Sequence, residues 1–107
     1  MFHQAAIASV PLSIEDPVLT QHHNVDGTVS ALENSYRCGV EKFIFASSSA
    51  VYGDTSSVPT GESIEPMPQS PYAEHKLASE EHCHNYYKSN RLRTTSLRYF
   101  NVFGPYQ

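Results

Sequence analysis

Phe43-Ile44-Phe45-Ala46 is a run of four apolar residues with no polar residue between them. A strand with one wet face alternates, whereas an unbroken run of this length suits a parallel strand buried on both faces. The neighbouring segments fit that assignment. Upstream, Asp16-Pro17 is a helix-start signal, with Asp as N-cap and Pro at the first helical position. Val18, Val25, Val29, Leu32 and Tyr36 then recur at helical spacing, with a small polar stripe of Asn24, Thr28, Ala31 and Ser35 beside them. Cys38-Gly39 closes this helix, Gly39 taking the left-handed position after it.

Residues 2–8 read as the end of a buried strand and the loop after it. Val10-Pro11-Leu12-Ser13 reads as loop because of its proline. After the apolar run come Ser47-Ser48-Ser49, then a loop over 53–70 rich in Gly, Pro, Ser and Thr. Ser70-Pro71 opens a helix that extends to about Ser89. Thr94–Tyr99 reads as a further strand, and Asn101–Gly104 as the loop at its end. The order is strand, helix, strand, loop, helix, strand, which argues for parallel α/β architecture. Ligands of open α/β sheets bind beyond the carboxyl ends of the strands. Residues 3–9, the serines at 47–49 and residues 99–104 are all expected at that edge.

The helix opened by Ser70 leaves the same edge. Tyr72 and Lys76 lie four residues apart, so both project from one face of its first turns. A cation and a helix N-terminus beside a phenol favour its ionised form. Tyr72 thereby becomes a candidate general base for a hydroxyl proton. By itself the spacing is common; the serines and Asn101 converging on the same cleft give it meaning.

Other chemistries have little support. A net charge of −4 gives no nucleic-acid surface. No apolar run approaches the roughly 20 residues of a membrane span, and Met1–Ala6 lacks the features of a signal peptide. Cys38 and Cys83 suggest neither a disulfide framework nor zinc, so a cytoplasmic location is expected. His82-Cys83-His84 occupies alternating helix positions that point to different faces, and no metal is expected there. His3 reads as a turn residue and His22-His23 as solvated.

Five segments carry a family resemblance: His3-Gln4-Ala5-Ala6, Asn24-Val25-Asp26-Gly27-Thr28, Ser47 to Gly53, Ser70-Pro71-Tyr72 with Lys76, and Leu97 to Pro105. In this order they resemble the extended short-chain dehydrogenase/reductase family, in particular its NAD-dependent nucleotide-sugar epimerases. The resemblance implies a Rossmann-type doubly wound sheet, bound NAD, and a UDP-sugar substrate oxidised transiently at C4 and returned with that centre inverted. Tyr72 would be the base. Lys76 would support it and bind the nicotinamide ribose. Ser48 would hydrogen-bond the reacting hydroxyl, with Ser49 assisting, and Asn24 would support the lysine. Ala5, Ala6, Ser47 and Tyr99 would line the cofactor. Ser9 and Asn101 would meet the substrate.

Helices 17–38 and 71–89 would also form a homodimer bundle. The related 4,6-dehydratases carry an acidic pair where Ser49 and Ala50 stand, and decarboxylating relatives a glutamate at Ala50. Ala50 has no proton to exchange, which favours epimerisation over a dehydratase or another extended reductase. The run His3–Pro11 is similar to the N-acetylhexosamine-accepting branch, although Ala8 and Leu12 depart from its usual glycine and arginine. UDP-GlcNAc and UDP-glucose both stay open.

The five glycines, at 27, 39, 53, 61 and 104, cannot form the Gly-rich turn that cradles a dinucleotide. The expectation is therefore an internal fragment over 1–107. It would carry the catalytic half of the dinucleotide-binding domain, without its Gly-rich half or a C-terminal substrate domain. Such a chain alone would be inactive and weakly stable. A non-catalytic truncated chain is the alternative from a different class.

Overall fold

A computed structural model describes residues 1–56 and 58–107. Three parallel strands form one sheet in the order β1 (Phe2–His3), β2 (Lys42–Ser48), β3 (Arg93–Tyr99). Phe2 pairs with Ile44, and the β2–β3 ladder runs from Lys42–Arg93 to Ser48–Tyr99. The crossovers carry helices α1 (Val10–Glu15), α2 (Pro17–Gln21), α3 (Gly27–Arg37) and α4 (Pro71–Lys88). Leu32, Phe43, Phe45, Cys83 and Leu92 form the apolar core between α3, α4 and one face of the sheet.

The helix signals act as expected where they rest on capping. The Asp16 side chain accepts from Leu19 N–H and Pro17 opens α2. The Ser70 hydroxyl accepts from Ala73 N–H and Pro71 opens α4. Gly39 has φ +69°. Its N–H and that of Val40 bond the carbonyls of Tyr36 and Ser35, which closes α3.

Three expectations are corrected. Val10–Ser13 is helical, because Ser9 caps α1 by accepting from Leu12 N–H and Pro11 falls within the first turn. There its missing N–H costs no hydrogen bond. Second, the small polar stripe shares the inward face with the middle of the apolar one, whose ends point outward. Asn24, Thr28 and Ser35 are buried beside Val25 and Leu32, while Val18 is 77% and Tyr36 46% exposed. Third, β2 alternates. Phe43, Phe45 and Ser47 are buried against the helices, whereas Ile44, Ala46 and Ser48 on the other face are only half-buried.

Between α2 and α3 the helix widens into a π turn over His22–Asp26. The Asn24 carbonyl takes the hydroxyls of Thr28 (2.7 Å) and Ser79 (3.0 Å), tying this turn to α4.

Candidate active site

The carboxyl ends of the three strands converge with the start of α4. Beyond β1, residues 4–9 are held by Asn24. Its amide donates to Ile7 O (3.0 Å) and accepts from Ile7 N–H (2.8 Å). Both functional groups of this buried side chain are thereby committed to the loop. Asn24 acts on the backbone around Ala5 and Ala6, and the expected contact with Lys76 is not made through its side chain. A cavity of about 370 Å³ opens against this loop, lined by His3, Ala5, Ala6, Ile7, His23 and Gly27.

α4 presents Tyr72 and Lys76 at the same edge. Pro71 has no N–H, Tyr72 N–H donates to Ser13 Oγ (3.1 Å), Ala73 N–H to Ser70 Oγ and Glu74 N–H to Ser70 O. The N–H groups of Tyr72, Ala73 and Glu74 in the first turn are thus satisfied. Lys76 is buried, and its Nζ donates to Ala46 O (2.8 Å) on β2. It lies 5.0 Å from the centroid of Phe45 and 5.9 Å from that of Tyr72. Burial lowers its pKa to about 8. Below that pH it is a cation, with donor capacity left after the bond to Ala46.

Ser48 ends β2 opposite Tyr99, and its hydroxyl accepts from Ala50 N–H (3.1 Å), capping a 3-10 turn over Ser49–Tyr52. Gly53 follows at φ +67°, where an added Cβ would lie 1.9 Å from Met67 O. Only glycine lets the chain at position 53 meet the Met67 carbonyl so closely.

The predicted residues therefore divide. Tyr72, Lys76, Ser48 and Ser49 stand at one edge, with Tyr99 paired to Ser48. Ala5 and Ala6 line the loop cavity. The Ser9 hydroxyl caps α1, and Asn101 is exposed beyond β3. Ser47 leaves the cofactor set. It points to the helix side, is buried, and donates to Glu80 Oε1 at 2.5 Å.

His3 is also reassigned, from a turn to a buried strand residue. Its Nε2 lies 3.0 Å from Thr28 Oγ1, and its ring stacks on Phe45. Burial, and then the charge of Lys76, lowers its pKa. Sequence reasoning passed over Ser13, Glu80 and Arg98. Glu80 had a signal, since Tyr72, Lys76 and Glu80 continue one helix face at steps of four.

The donor set suits the nicotinamide end of a dinucleotide. A lysine with free donors stands at the strand edge, and the loop beside it carries only methyl side chains at Ala5 and Ala6.

The NAD dependent epimerase/dehydratase family model matches residues 1–107. A UDP-glucose 4-epimerase of Lacticaseibacillus casei is 38% identical over 102 residues, covering 95% of this chain and 31% of that protein. The Thermus thermophilus UDP-glucose 4-epimerase, solved with NAD, superposes with a TM-score of 0.92 at 45% identity. It covers 99% of this chain, which spans 35% of that one. The UDP-N-acetylglucosamine 4-epimerase of Methanobrevibacter ruminantium, solved with UDP-N-acetylmuramic acid, gives 0.94 at 42% identity, over 99% of this chain and 34% of its own. The chain spans about a third of the length of the curated relatives it matches. With the whole of its length matched, the chain belongs to the NAD dependent epimerase/dehydratase family.

Proposed function

We propose that the protein of which these residues form the catalytic part inverts C4 of a UDP-sugar by way of a 4-keto sugar. The observation that carries this reading is the Tyr72–Lys76 pair, held on one helix face at the strand edge by the bond from Lys76 to Ala46 O. Tyr72 takes the proton of the 4-hydroxyl and later returns it. Lys76, charged at neutral pH, stabilises the phenolate and donates to the ribose of the cofactor. Ser48 orients the reacting hydroxyl and Ser49 assists. When bound, NAD+ supplies the two-electron acceptor and donor for C4. Asn24 holds the 4–9 loop so that Ala5 and Ala6 border the cofactor, with Tyr99 on its other side. Ser9 and Asn101 meet the sugar or its diphosphate. Ala50 offers no acid or base for elimination, which favours epimerisation over water loss.

Both UDP-glucose and UDP-N-acetylglucosamine epimerases are among the similar proteins, so either sugar fits the reading. The exposed Val18, Tyr36 and Tyr87 on the outer helix faces support a homodimer through this layer. Two free cysteines, Cys38 and Cys83, suit a cytoplasmic protein. The test is incubation of the complete protein with each UDP-sugar. A 4-epimer without net NADH is expected. Net loss of water, or full activity in Tyr72→Phe, overturns the reading.

A further inference from the structure

Glu80 sits one turn beyond Lys76 on the same face of α4. Its side chain is 12% exposed and that of its partner Arg98 is 23% exposed. Oε1 accepts from Ser47 Oγ (2.5 Å) and Arg98 Nε (3.0 Å), and Oε2 accepts from Arg98 Nη2 (2.9 Å). Ser47 and Arg98 are register partners across β2 and β3. One carboxylate thus grips both strands at the pair immediately before Ser48 and Tyr99. One turn back, Lys76 grips Ala46 O. The Arg98 guanidinium lies 4.7 Å from the centroid of Tyr52, whose ring stacks on Phe100 at 6.3 Å. The clamp therefore reaches the turn that contains Ser49 and the segment leading to Asn101.

A half-buried ion pair is a poor device for stability alone, because desolvation offsets its attraction. As a geometric device it is effective. Sliding or rotating α4 against β2 breaks the Glu80 and Lys76 contacts together. We propose that Glu80, through Ser47 and Arg98, is a positioning residue that sets Tyr72 and Lys76 against Ser48. The inference rests on the reading of Tyr72 and Lys76 as the reacting pair.

The test replaces Glu80→Gln in the complete protein and takes two measurements. In the first, kcat falls about tenfold to a hundredfold while KM for the sugar stays within about twofold, as expected when reacting groups are misplaced. The second needs no turnover. Acylation of Lys76 in the cofactor-free parent is followed against pH by peptide mass; burial, which lowers the Lys76 pKa to about 8 in this chain, is expected to hold its midpoint well below that of an exposed lysine. In Glu80→Gln it rises by about one unit as water reaches the ammonium. Loss of the carboxylate leaves the Arg98 cation unpaired, which by itself lowers the Lys76 pKa, so a raised midpoint reports the access of water.

An unmoved midpoint with unchanged kcat in a folded Glu80→Gln protein overturns the proposal. If that variant does not fold, Ser47→Ala decides. It removes one hydrogen bond and no charge, and either a fall in kcat of about threefold or more or a raised midpoint supports the clamp. A Ser47→Ala protein that shows neither change overturns it. If the parent itself lacks epimerase activity, the proposed function fails, and the acylation midpoint still decides whether Glu80 holds Lys76.

Discussion

Burial sets the ionisation of Lys76, and this gives a signed pH prediction. Its folded pKa of about 8 lies below that of an unfolded lysine. Between about pH 8 and 10 the unfolded chain holds more protons, so this residue's contribution to stability rises with pH across that window. Cys83 opposes it, since burial raises the thiol to about 11 and favours the unfolded thiolate from about pH 9 upward. Comparing the cofactor-free parent with Lys76→Met by thermal melts separates the two. The parent is expected to gain relative to the variant as pH rises through 8; a constant difference refutes the assignment. Asn24→Asp keeps the acceptor for Ile7 N–H but sets a carboxylate oxygen against Ile7 O. A loss of about 2–4 kcal/mol by chemical denaturation is expected. Tyr72, Lys76 and Ser48 are legible in the sequence because capping and strand position locate them. Glu80 shares the helix face of Tyr72 and Lys76 in the sequence, but its role is not legible, because its partners are 18 and 33 residues away.

At the scale of elements, short polar side chains share the buried helix face with Val25 and Leu32. Thr28, Ser35 and Ser79 pack as closely as alanine. Thr28 and Ser79 return their hydroxyl protons to carbonyls, so burying them leaves no unsatisfied donor. The hydropathy stripe therefore locates Val25 and Leu32, which are buried, and extends too far at Val18 and Tyr36, which the chain leaves exposed. α1 is hidden in the sequence because a proline signals a loop as readily as a helix's first turn, where Pro11 lies. Gly53→Ala tests the loop that follows the 3-10 turn. The 1.9 Å approach to Met67 O and the left-handed φ both oppose it. The substitution should cost about 3 kcal/mol or more and displace 53–70, readable by denaturation and by faster proteolysis of that loop. Ser70→Ala should cost only about 1 kcal/mol, since it removes one cap from α4.

For the molecule as a whole, surface area carries the argument. A compact monomer of 11.9 kDa exposes about 5,900 Å², whereas this chain exposes 7253 Å². Its radius of gyration is 14.2 Å, against about 13 Å for a compact domain of this length. The excess fits the half-open face of Ile44, Ala46 and Ser48 and the exposed Phe100, Val102 and Phe103. Expressed alone, residues 1–107 should bind an apolar dye and melt over a broad range. A sharp transition without dye binding would contradict this. Strand order and parallel pairing follow from the alternation of signals along the chain, but the open face does not. The apolar run Phe43–Ala46 reads alike whether one or both sides are covered.

The parallel register has one more consequence, in time. β1 must wait about 40 residues for β2, and β2 about 50 for β3, so no part of the sheet closes locally. During synthesis at about 5–20 residues per second, β2 leaves the ribosome roughly 2–8 s after β1. Through that interval Phe2 and His3 lack their β2 partners Ile44 and Phe45, and this pairing waits until Lys42–Ser48 emerges.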